Sequence, residues 1–580
     1  MSGAQLIAAA LLVPAAGAIG IALAGRWPNL RESVTLVTAV SLFAFVLSLL
    51  PSVLAGARPQ LFVLEMLPGI ALGFRVEPLG MLFALVASGL WIVNSIYSIG
   101  YMRANGEPQQ TRFYVCFALA LAATMGIAFS ANLLTLFLFY EALTLVTWPL
   151  VTHHGDDEAR SGGRIYLGFL LGTSILFLLP AIIVTWAIAG TLEFTPGGIL
   201  RGAGISGAAT GGLLALYMFG IGKAALMPFH RWLPAAMVAP TPVSALLHAV
   251  AVVKAGVFAV LKVIVYVFGV ETLSGVRAAD WLPVVAGFTI VAASIVALRS
   301  DNLKRRLAYS TVSQLSYVVL AAAILAPLSI IGAALHIAMH AVAKITLFFA
   351  AGAIYTAAHK TEVSQLDGIG WRMPWTMAAF AVGALSMIGL PPAAGFVSKW
   401  FILVGAVEAR HWVAVAVIAA STLLNAAYFA PVVYRAFLRA PKPGEAAHGE
   451  APLPMVIALT ATAAGTLAFF FFPGVPLALS RALQGEWDER PLAGAALDHP
   501  PDVGRFHRGT RAHRDRRTVC RARRALRRGE GVRLRCLVRV YRLRRPDHHR
   551  EGDRRVLQAP GQLLRRGREP WLARCCTPAC

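Results

Sequence analysis

The feature that most constrains this sequence is the recurrence of apolar runs of eighteen or more residues, from the N-terminus to about residue 485. Each run is long enough to cross a hydrocarbon core of ~30 Å as a helix. Only 14% of the 580 residues are charged, which is fewer than the hydrated surface of a soluble protein of this size normally carries. The sequence therefore predicts an all-α integral membrane protein of about fourteen transmembrane helices.

The predicted spans, whose boundaries are good to a few residues, begin close to the N-terminus. The first run has no basic segment before it, and a second run follows at once, so we interpret it as a retained helix and not as a signal peptide. The spans are 5–24, 33–55, 77–101, 113–129, 131–151, 165–189, 211–229, 243–269, 280–298, 307–327, 329–357, 375–407, 411–434 and 452–480.

The Lys and Arg residues of the short connecting loops predict the orientation in the membrane, because cytoplasmic loops carry an excess of positive charge. The loops that follow odd-numbered spans hold sixteen of these residues, and the loops on the opposite side hold five. This bias predicts a bacterial inner-membrane protein whose N-terminus, like the end of the fourteenth span, lies outside the cytoplasm.

The composition changes abruptly in the tail, residues 486–580. Residues 501–580 contain 24 Arg, no Lys and seven acidic residues, which leaves +17 of the chain's formal charge of +24, and they hold five of its six Cys. A basic arm that binds nucleic acid or lipid usually mixes Lys with Arg. The composition favours a frameshift in a GC-rich gene over a disordered basic tail, and no nucleic-acid partner is expected.

Ionisable residues occur inside several predicted spans, where each costs at least a few kcal/mol to insert. A single His or Lys there is commonly a packing residue or reaches the membrane interface. Several ionisable residues on separate helices, near the same depth in the membrane, favour a connected, hydrated path for protons or other ions. The candidates are Glu141, Lys223, His248, Lys254, His336, His340, Lys344 and Lys399, of which the three on the eleventh span recur every four residues and share one helix face.

Two of the predicted helices are broken close to a buried Lys. Pro228 and Pro234 interrupt the seventh span near Lys223, and the Pro391-Pro392 pair interrupts the twelfth near Lys399. Proline in a lipid-embedded helix is tolerated where the freed carbonyl groups line a cavity or meet a neighbour. Matched breaks five spans apart are typical of an internal repeat in a transporter fold, although two ordinary proline kinks would give the same pattern.

Five segments carry a resemblance to a known family. They are FYEAL around Glu141, the stretch 223–256, DNLKRRLAYSTVSQLSY at 301–317, HIAMHAVAKITLFFAAG at 336–352 and GLPPAAGFVSKW at 389–400. In this order they resemble the antiporter-like family shared by complex I membrane-arm subunits, Mrp-type sodium/proton antiporters and membrane-bound hydrogenases. The similarity covers roughly residues 60–440.

The resemblance implies a specific organisation of the chain. Two inverted five-helix repeats containing broken helices would occupy 113–269 and 280–434, after three N-terminal helices in 1–112 and before a fourteenth helix in 435–485. Each repeat would contain a half-channel.

The resemblance also implies roles for the buried residues. Glu141 and Lys223 would form a coupled pair with Lys223 as the proton-holding site, and His248 with Lys254 would pass the proton sideways. His336 and His340 would continue the path with Lys344 nearby, and Lys399 would release the proton on the outer side. A carboxylate within ~4–6 Å keeps a buried Lys charged, so changing one such ion pair would load or unload a proton.

The partners implied by the resemblance are other membrane subunits of a hetero-oligomeric antiporter or redox complex, the lipid bilayer and protons, with Na⁺ exchange left open. The D-type component of Mrp antiporters is the favoured branch, and a membrane-arm subunit of an NADH–quinone oxidoreductase or a hydrogenase is the alternative. A scaffold that has kept the fold without transport is a third possibility.

Other patterns in the sequence do not predict a cofactor or metal. Residues 202–207 match a G-x-G-x-x-G pattern, but they precede a membrane span and no strand–helix–strand unit surrounds them. Cys116 alone cannot hold an iron–sulfur cluster, so electrons of any redox complex would travel in another subunit. The cluster of His153, His154, Asp156 and Asp157 is interpreted as a solvated loop, not as a metal site.

Overall fold

The computed structural model describes residues 1–441 and 448–486. The predicted tail 486–580 lies outside these residues except for Glu486, so the frameshift interpretation stays a prediction. The regular secondary structure of the described residues is helical apart from one short hairpin. Its helices of ten or more residues are α1 (Gly3–Leu23), α2 (Pro28–Leu54), α3 (Pro78–Ala104), α4 (Gln110–Ala128), α5 (Leu133–Val151), α6 (Asp157–Thr173), α7 (Leu179–Ala189), α8 (Gly207–Gly220), α11 (Val252–Lys262), α13 (Trp281–Arg299), α14 (Leu303–Ala323), α15 (Pro327–Ala358), α17 (Pro374–Ile388), α18 (Ala394–Glu408), α19 (Trp412–Leu438), α20 (Leu453–Phe471) and α21 (Gly474–Gly485).

Shorter helical pieces fill the breaks between these helices. They are α9 (Trp232–Ala235), α10 (Thr241–Ala245), α12 (Val270–Ser274) and α16 (Ile369–Arg372). Two π-helical turns, Ser174–Leu178 and Leu246–Val250, connect neighbouring helices, and a third, Val263–Phe268, extends α11. Asp157–Ala189 and Thr241–Phe268 are therefore each one continuous helical segment. We call Thr241–Phe268 the central segment.

Eleven helices of the described residues are long and apolar enough to cross a membrane. The predicted seventh, tenth and twelfth spans are not among these eleven, because α8 and α17 are short and the polar start of α14 lowers its hydropathy. Large apolar side chains such as Leu12, Val37, Leu145 and Leu423 are exposed on the outer surface, as a lipid environment requires. The chain is a multi-pass membrane protein, and the count of fourteen spans stays a prediction.

Local sequence signals explain where several helices begin. The side chain of Asn132 accepts a hydrogen bond from the backbone of Thr135 at the start of α5, and Asp156 does the same for α6. Such caps satisfy N–H groups that have no partner within the helix. Proline stands at the first turn of α2, α3, α15 and α17, where its missing N–H costs nothing.

The hairpin of β1 (Gln60–Leu67) and β2 (Ile70–Arg75) lies between α2 and α3, where the sequence analysis predicted no strand. The strands are antiparallel with two irregularities in their register. Arg75 N donates to Phe129 O, and Asn132 Nδ2 donates to Ala71 O at 2.7 Å. These bonds fix the hairpin to the end of α4 and the start of α5.

The predicted interruption of the seventh span near Lys223 is confirmed, but the predicted end of the helix at residue 229 is wrong. The helix ends at Gly220, and Lys223 lies in a short 3₁₀ turn, Gly222–Ala224, followed by largely irregular backbone up to the central segment. Pro228 and Pro234 lack the N–H that a continuing helix needs. The interruption predicted for the twelfth span is confirmed, because the span consists of two helices, α17 and α18, separated at Gly389 (φ +92°) and the proline pair. Broken backbone is tolerated at membrane depth where protein surrounds it.

The central segment and α15 form the core of the molecule. The most apolar stretch of each is completely buried, in contrast to the half-exposed helices at the periphery. The two helices pack against each other, with α3 and α14 on their flanks and α18 against α15. These two most enclosed helices carry five of the eight predicted site residues, namely His248, Lys254, His336, His340 and Lys344.

Candidate functional site

Lys223 lies in a completely buried pocket against α5. Its Nζ donates hydrogen bonds to Tyr140 O (2.8 Å) and Thr144 Oγ1 (2.6 Å) and lies 3.2 Å from the centre of the Tyr140 ring. The backbone N–H of Lys223 donates to the Tyr140 hydroxyl at 3.0 Å. The broken backbone therefore places an ammonium group among a carbonyl, a hydroxyl and an aromatic face, all of which stabilise a cation.

Glu141 follows Tyr140 on α5 and is close enough to Lys223 for the two charges to interact. No described Lys or Arg forms an ion pair with it, and neither carboxylate oxygen has a hydrogen bond of good geometry within the described residues. The Ser174 hydroxyl is nearby, although it donates to Leu170 O at 2.9 Å. The structure thus brings Glu141 to the edge of the Lys223 pocket without a direct contact between the two side chains.

His248 and Lys254 lie on the central segment, on either side of Ala251, which separates the π-helical turn from α11. His248 is in the π-helical turn Leu246–Val250, and its ring lies 4.8 Å from the ring of Phe348 on α15. Neither ring nitrogen of His248 has a hydrogen-bond partner among the described residues. Lys254 Nζ lies 2.5 Å from His340 Nδ1, so one hydrogen bond joins the central segment to α15.

The three candidates on α15 lie in one row, as their spacing predicts. The rings of His336 and His340 are 5.7 Å apart and nearly parallel, with an angle of 13° between them. Lys344 Nζ, one turn further, donates to Ser310 Oγ at 2.9 Å. All three side chains are buried, with at most 1% of the residue exposed.

His336 is held from both sides by residues that the sequence analysis missed. Its Nδ1 lies 2.8 Å from Ser398 Oγ on α18, and its Nε2 lies 3.1 Å from Gln314 Oε1 on α14. Gln314 Nε2 in turn donates to Asn425 Oδ1 at 3.2 Å. With the amide in this orientation, Gln314 presents its Oε1, an acceptor, to His336. His336 therefore carries its proton on Nε2, and its Nδ1 accepts a hydrogen bond from the Ser398 hydroxyl.

Lys399 lies on α18, one residue after Ser398, and points back to the end of α17. Its Nζ donates to Met387 O (2.6 Å) and Ile388 O (3.2 Å), and lies 4.8 Å from the centre of the Tyr317 ring. The last carbonyl groups of a helix have no partner within it and carry partial negative charge. The break at Gly389 therefore creates a cation site that resembles the Lys223 site in its chemistry: backbone carbonyl oxygen and an aromatic face.

The polar residues that support the candidates were present in the sequence but not distinguishable there. Tyr140, Thr144, Ser310, Gln314 and Ser398 are ordinary helix residues, and only their contacts with Lys223, Lys344 and His336 give them a role. The repetition of polar residues in STVSQLSY within an otherwise apolar span is the one signal that could have pointed to α14.

Lys262 is a buried cation that the sequence analysis also missed. It lies on the central segment two turns beyond Lys254 and is 1% exposed. Its Nζ donates to Ser130 O at 2.7 Å and lies 3.2 Å from Glu77 Oε2, and Glu77 also pairs with Arg75 at 2.9 Å. This ion pair joins the end of the hairpin to the central segment.

The loop after α5 is partly solvated, whereas the sequence analysis interpreted it as a solvated loop. His153 is buried and packs edge-on against Phe113, while His154 and the two Asp residues are exposed. Both histidines approach Glu107 Oε2, at 3.6 Å for His153 and 3.3 Å for His154. Burial lowers the pKa of His153 to about 4, whereas the hydrogen bond with Glu107 raises the pKa of His154.

Together, the fold and the site define a class: a multi-pass membrane protein that holds a row of ionisable side chains in its completely enclosed interior. Comparison with known proteins makes the class more specific. The family model for the membrane domain of NADH:quinone oxidoreductase and Mrp antiporters matches residues 130–425, and the model for the N-terminus of chain 5 of complex I matches 68–114. The chain belongs to the NADH:quinone oxidoreductase/Mrp antiporter family.

Curated relatives come from both kinds of complex. NADH-quinone oxidoreductase subunit N of Desulforudis audaxviator is 35% identical over 388 residues, which are 65% of this chain and 75% of the relative. A probable K⁺/H⁺ antiporter component of A/B type from Rhizobium meliloti is 31% identical over 421 residues, 70% of this chain and 40% of the relative. The chain thus spans three quarters of the first relative's length and well under two thirds of the second's.

Solved structures share the fold. A chain of the Mrp complex from Dietzia sp. DQ12-45-1b superposes with a TM-score of 0.74 at 21% identity, over 83% of this chain and 97% of that one. A chain of the membrane-bound sulfane sulfur reductase, an archaeal respiratory membrane complex, gives the same TM-score at 22% identity and the same coverage. Both are members of multisubunit membrane complexes.

Proposed function

We propose that this chain is the proton-translocating membrane subunit of a multisubunit cation/proton antiporter, and that it moves protons along its buried row of Lys and His residues. The observation that carries the proposal is the contact of Lys254 with His340, which links the central segment to α15 at the middle of the molecule. Without this contact the charges near Lys223 and those near Lys399 would be two separate sites.

The proposed path begins at Lys223 and ends at Lys399. Gly256 packs directly against the backbone of Lys223, so the turn that holds Lys223 touches the helix that carries Lys254. From Lys254 the proton would pass to His340 and then to the parallel ring of His336, with Lys344 adjusting the charge on the same helix face. Ser398 bonds to His336 and directly precedes Lys399, so it connects the histidines to the last group.

Glu141 is proposed to control the charge on Lys223. Because the two groups interact across low-dielectric surroundings without a direct bond, a small movement of Glu141 would change the free energy of the ammonium form. The neighbours of Glu141 on the same flank of α5, Leu138, Leu145 and Trp148, are exposed apolar residues. A neighbouring membrane protein of the complex on this flank would enclose Glu141 and could move its charge.

The proposal includes the architecture implied by the sequence. Two inverted five-helix repeats at 113–269 and 280–434 would each contain one broken helix, and the chemically similar cation sites at Lys223 and Lys399 support that division. Three helices in 1–112 and a fourteenth in 435–485 would flank the repeats, in a bacterial inner membrane with the N-terminus outside. The transported ions are protons, exchanged against a monovalent cation such as Na⁺ or K⁺.

The second candidate is a membrane-arm subunit of an NADH–quinone oxidoreductase or a related hydrogenase complex. It is favoured by the relative of subunit N type, which is matched over a larger share of its length than the antiporter relative. The chain's own task would be the same proton relay, with the redox chemistry in other subunits. Co-purification separates the two candidates, because antiporter subunits or redox subunits would accompany a tagged chain.

The test of the relay is transport by the assembled complex in inverted vesicles carrying Glu141→Ala or Lys223→Ala. We expect both variants to abolish proton transport, because each removes one member of an interacting pair on which loading of the path depends. Glu271→Ala is the matched control, since Glu271 is an exposed carboxylate whose pairing with the exposed Arg201 contributes little. Unchanged transport in both interior variants, with normal amounts of the chain in the membrane, would rule out the relay.

A further inference from the structure

Lys262 is a buried cation that the proposed relay does not use. Its Nζ donates to Ser130 O at 2.7 Å, lies 3.2 Å from Glu77 Oε2 and lies 4.1 Å from the centre of the Phe194 ring. Carbonyl oxygen atoms, carboxylate oxygen atoms and aromatic faces are groups that bind monovalent cations in proteins. The ammonium group of Lys262 therefore occupies a position with the chemistry of a cation-binding site.

Arg75 holds the Glu77 carboxylate in place and leaves one of its oxygen atoms for Lys262. Arg75 Nε and Nη2 donate to Glu77 Oε1 at 3.1 Å and 2.9 Å, and Nη2 also donates to Phe194 O. Glu77 Oε2 is buried and has no hydrogen bond of good geometry within the part of the chain that the structure describes. The two cations and the one carboxylate give this cluster a net charge of about +1.

A second carboxylate near the cluster has partners of its own. Glu486, directly after α21, interacts electrostatically with Lys262 but pairs with Arg58 at 2.7 Å. Glu486 also accepts a hydrogen bond from the hydroxyl of Tyr266, which lies one turn after Lys262 on the central segment. Glu77 is therefore the carboxylate that directly faces Lys262.

The cluster lies just below the face that the loop charges predict to be outside. The hairpin that ends at Arg75 belongs to the connection after the second predicted span, on the side with fewer basic residues. The side chain of Arg75 is 19% exposed, whereas that of Glu77 is 4% exposed. A small cation from the outer solution therefore has about one layer of side chains to pass before it reaches Glu77.

We infer that Glu77 Oε2, Ser130 O and the Phe194 ring form a binding site for a monovalent metal cation, Na⁺ or K⁺. The cation and the proton of Lys262 occupy the site alternately, because two positive charges at one carboxylate oxygen repel each other. When Lys262 releases its proton to water on the outer side, the neutral amine leaves both oxygen atoms to the cation. The net charge of the cluster is then the same in both states. The inference rests on the proposed cation/proton exchange and adds a site for the cation, outside the relay itself.

The test is equilibrium binding of radioactive Na⁺, or of Rb⁺ in place of K⁺, to the purified assembled complex between about pH 6 and about pH 9. We expect the apparent affinity to rise by about tenfold per pH unit while Lys262 is protonated, because the site must release one proton before it binds the cation. In Lys262→Met this competition is absent, and the affinity should change by less than about twofold over the same range. Glu77→Gln should lower the affinity by about tenfold or more, since the charged ligand is lost.

A double variant separates loss of the site from a folding defect. Glu77→Gln combined with Lys262→Met removes one negative and one positive charge, so the net charge of the cluster is unchanged. This variant should assemble normally and fail to bind the cation. Glu65→Gln is the matched control, since Glu65 is an exposed carboxylate on the same hairpin that accepts a hydrogen bond from Gly69 N at 2.7 Å. Its cation affinity should equal that of the unmodified complex at every pH.

Three results would overturn the site: no cation binding by the unmodified complex, undiminished binding by the double variant, or a slope of about tenfold per pH unit that persists in Lys262→Met. Failure of the unmodified complex to move protons would instead count against the proposed function. The binding measurements would then still decide whether a cation competes with the proton of Lys262, because they do not depend on transport.

Discussion

Lys254 and His340 share one hydrogen bond, with 2.5 Å between the ammonium nitrogen and Nδ1 of the ring, and this bond joins the two most enclosed helices of the molecule. An ammonium group can only donate, so a protonated Lys254 requires Nδ1 of His340 to be unprotonated. Transfer of the proton makes Lys254 the acceptor and leaves the charge on α15. The pair is thus arranged for a proton to move between the two helices over a single hydrogen bond.

Replacement of His340 by Gln tests this transfer. The amide oxygen of His340→Gln can still accept a hydrogen bond from Lys254, but the amide cannot take up a proton near neutral pH. We expect proton transport by the assembled complex to fall by ~100-fold, the lower range for loss of a positioned acid–base group. His359→Gln, at the exposed end of α15, is the control and should leave the rate unchanged. Transport within about twofold of the unmodified rate in His340→Gln would contradict the transfer.

Replacement of Thr144 by Val tests the Lys223 pocket. Thr144 Oγ1 accepts one of the two hydrogen bonds of the ammonium group, at 2.6 Å, and removal of a buried partner of a charge costs roughly 1.5–3 kcal/mol. We expect transport to fall by about tenfold or more, because the charged form of Lys223 is disfavoured. In the control, Thr147→Val, the lost hydroxyl is one turn away and contacts Tyr166 at 2.7 Å, so transport should change little. Equal effects of the two variants would indicate a general packing defect.

Gly256 is required for the contact between the central segment and the turn that holds Lys223. A Cβ at this position would lie 2.3 Å from the Lys223 carbonyl carbon and from the backbone nitrogen of Ala224, and backbone atoms cannot move aside as a flexible side chain can. We expect Gly256→Ala to lower the thermal unfolding midpoint of the purified complex and to reduce transport. Gly212→Ala, where no atom lies within 4 Å of the added carbon, should be neutral or slightly stabilising. A fully active and stable Gly256→Ala variant would contradict this close packing.

The contact of His154 with Glu107 predicts a pH dependence of stability. The contact raises the pKa of His154 above its usual value near 6.5. The contribution of the contact to the stability of the fold is therefore fully present below pH 6.5, and it is lost as the pH rises through the raised pKa. The unfolding midpoint of the unmodified complex should therefore exceed that of His154→Gln most at acidic pH, with the difference vanishing under alkaline conditions. Subtracting the unfolding midpoint of His154→Gln from that of the unmodified complex at each pH cancels the contributions of the other titrating groups to stability. A difference that grew with pH would show that the sign is wrong.

The sequence alone determined the membrane class and most of the helices, because the hydrophobic effect acts on runs of apolar residues whatever their partners. It also selected eight ionisable residues, since each of them is costly in an apolar span, but it missed the buried Lys262. The row of His336, His340 and Lys344 follows from helical periodicity, and the structure confirms that they lie on one face.

Only the tertiary structure decided how these charges are satisfied. It placed the end of α8 at Gly220. It also formed the hydrogen bonds of Lys223 and Lys399 with carbonyl groups and the bond between Lys254 and His340, which join residues 11 to 86 positions apart in the chain. The supporting residue Thr144 gives no local signal of its role, and the polar run STVSQLSY points to α14 without distinguishing Gln314 from its neighbours. Local sequence patterns report which groups must be buried, whereas the partner of a buried polar group depends on which helices pack together, and that is a property of the whole fold.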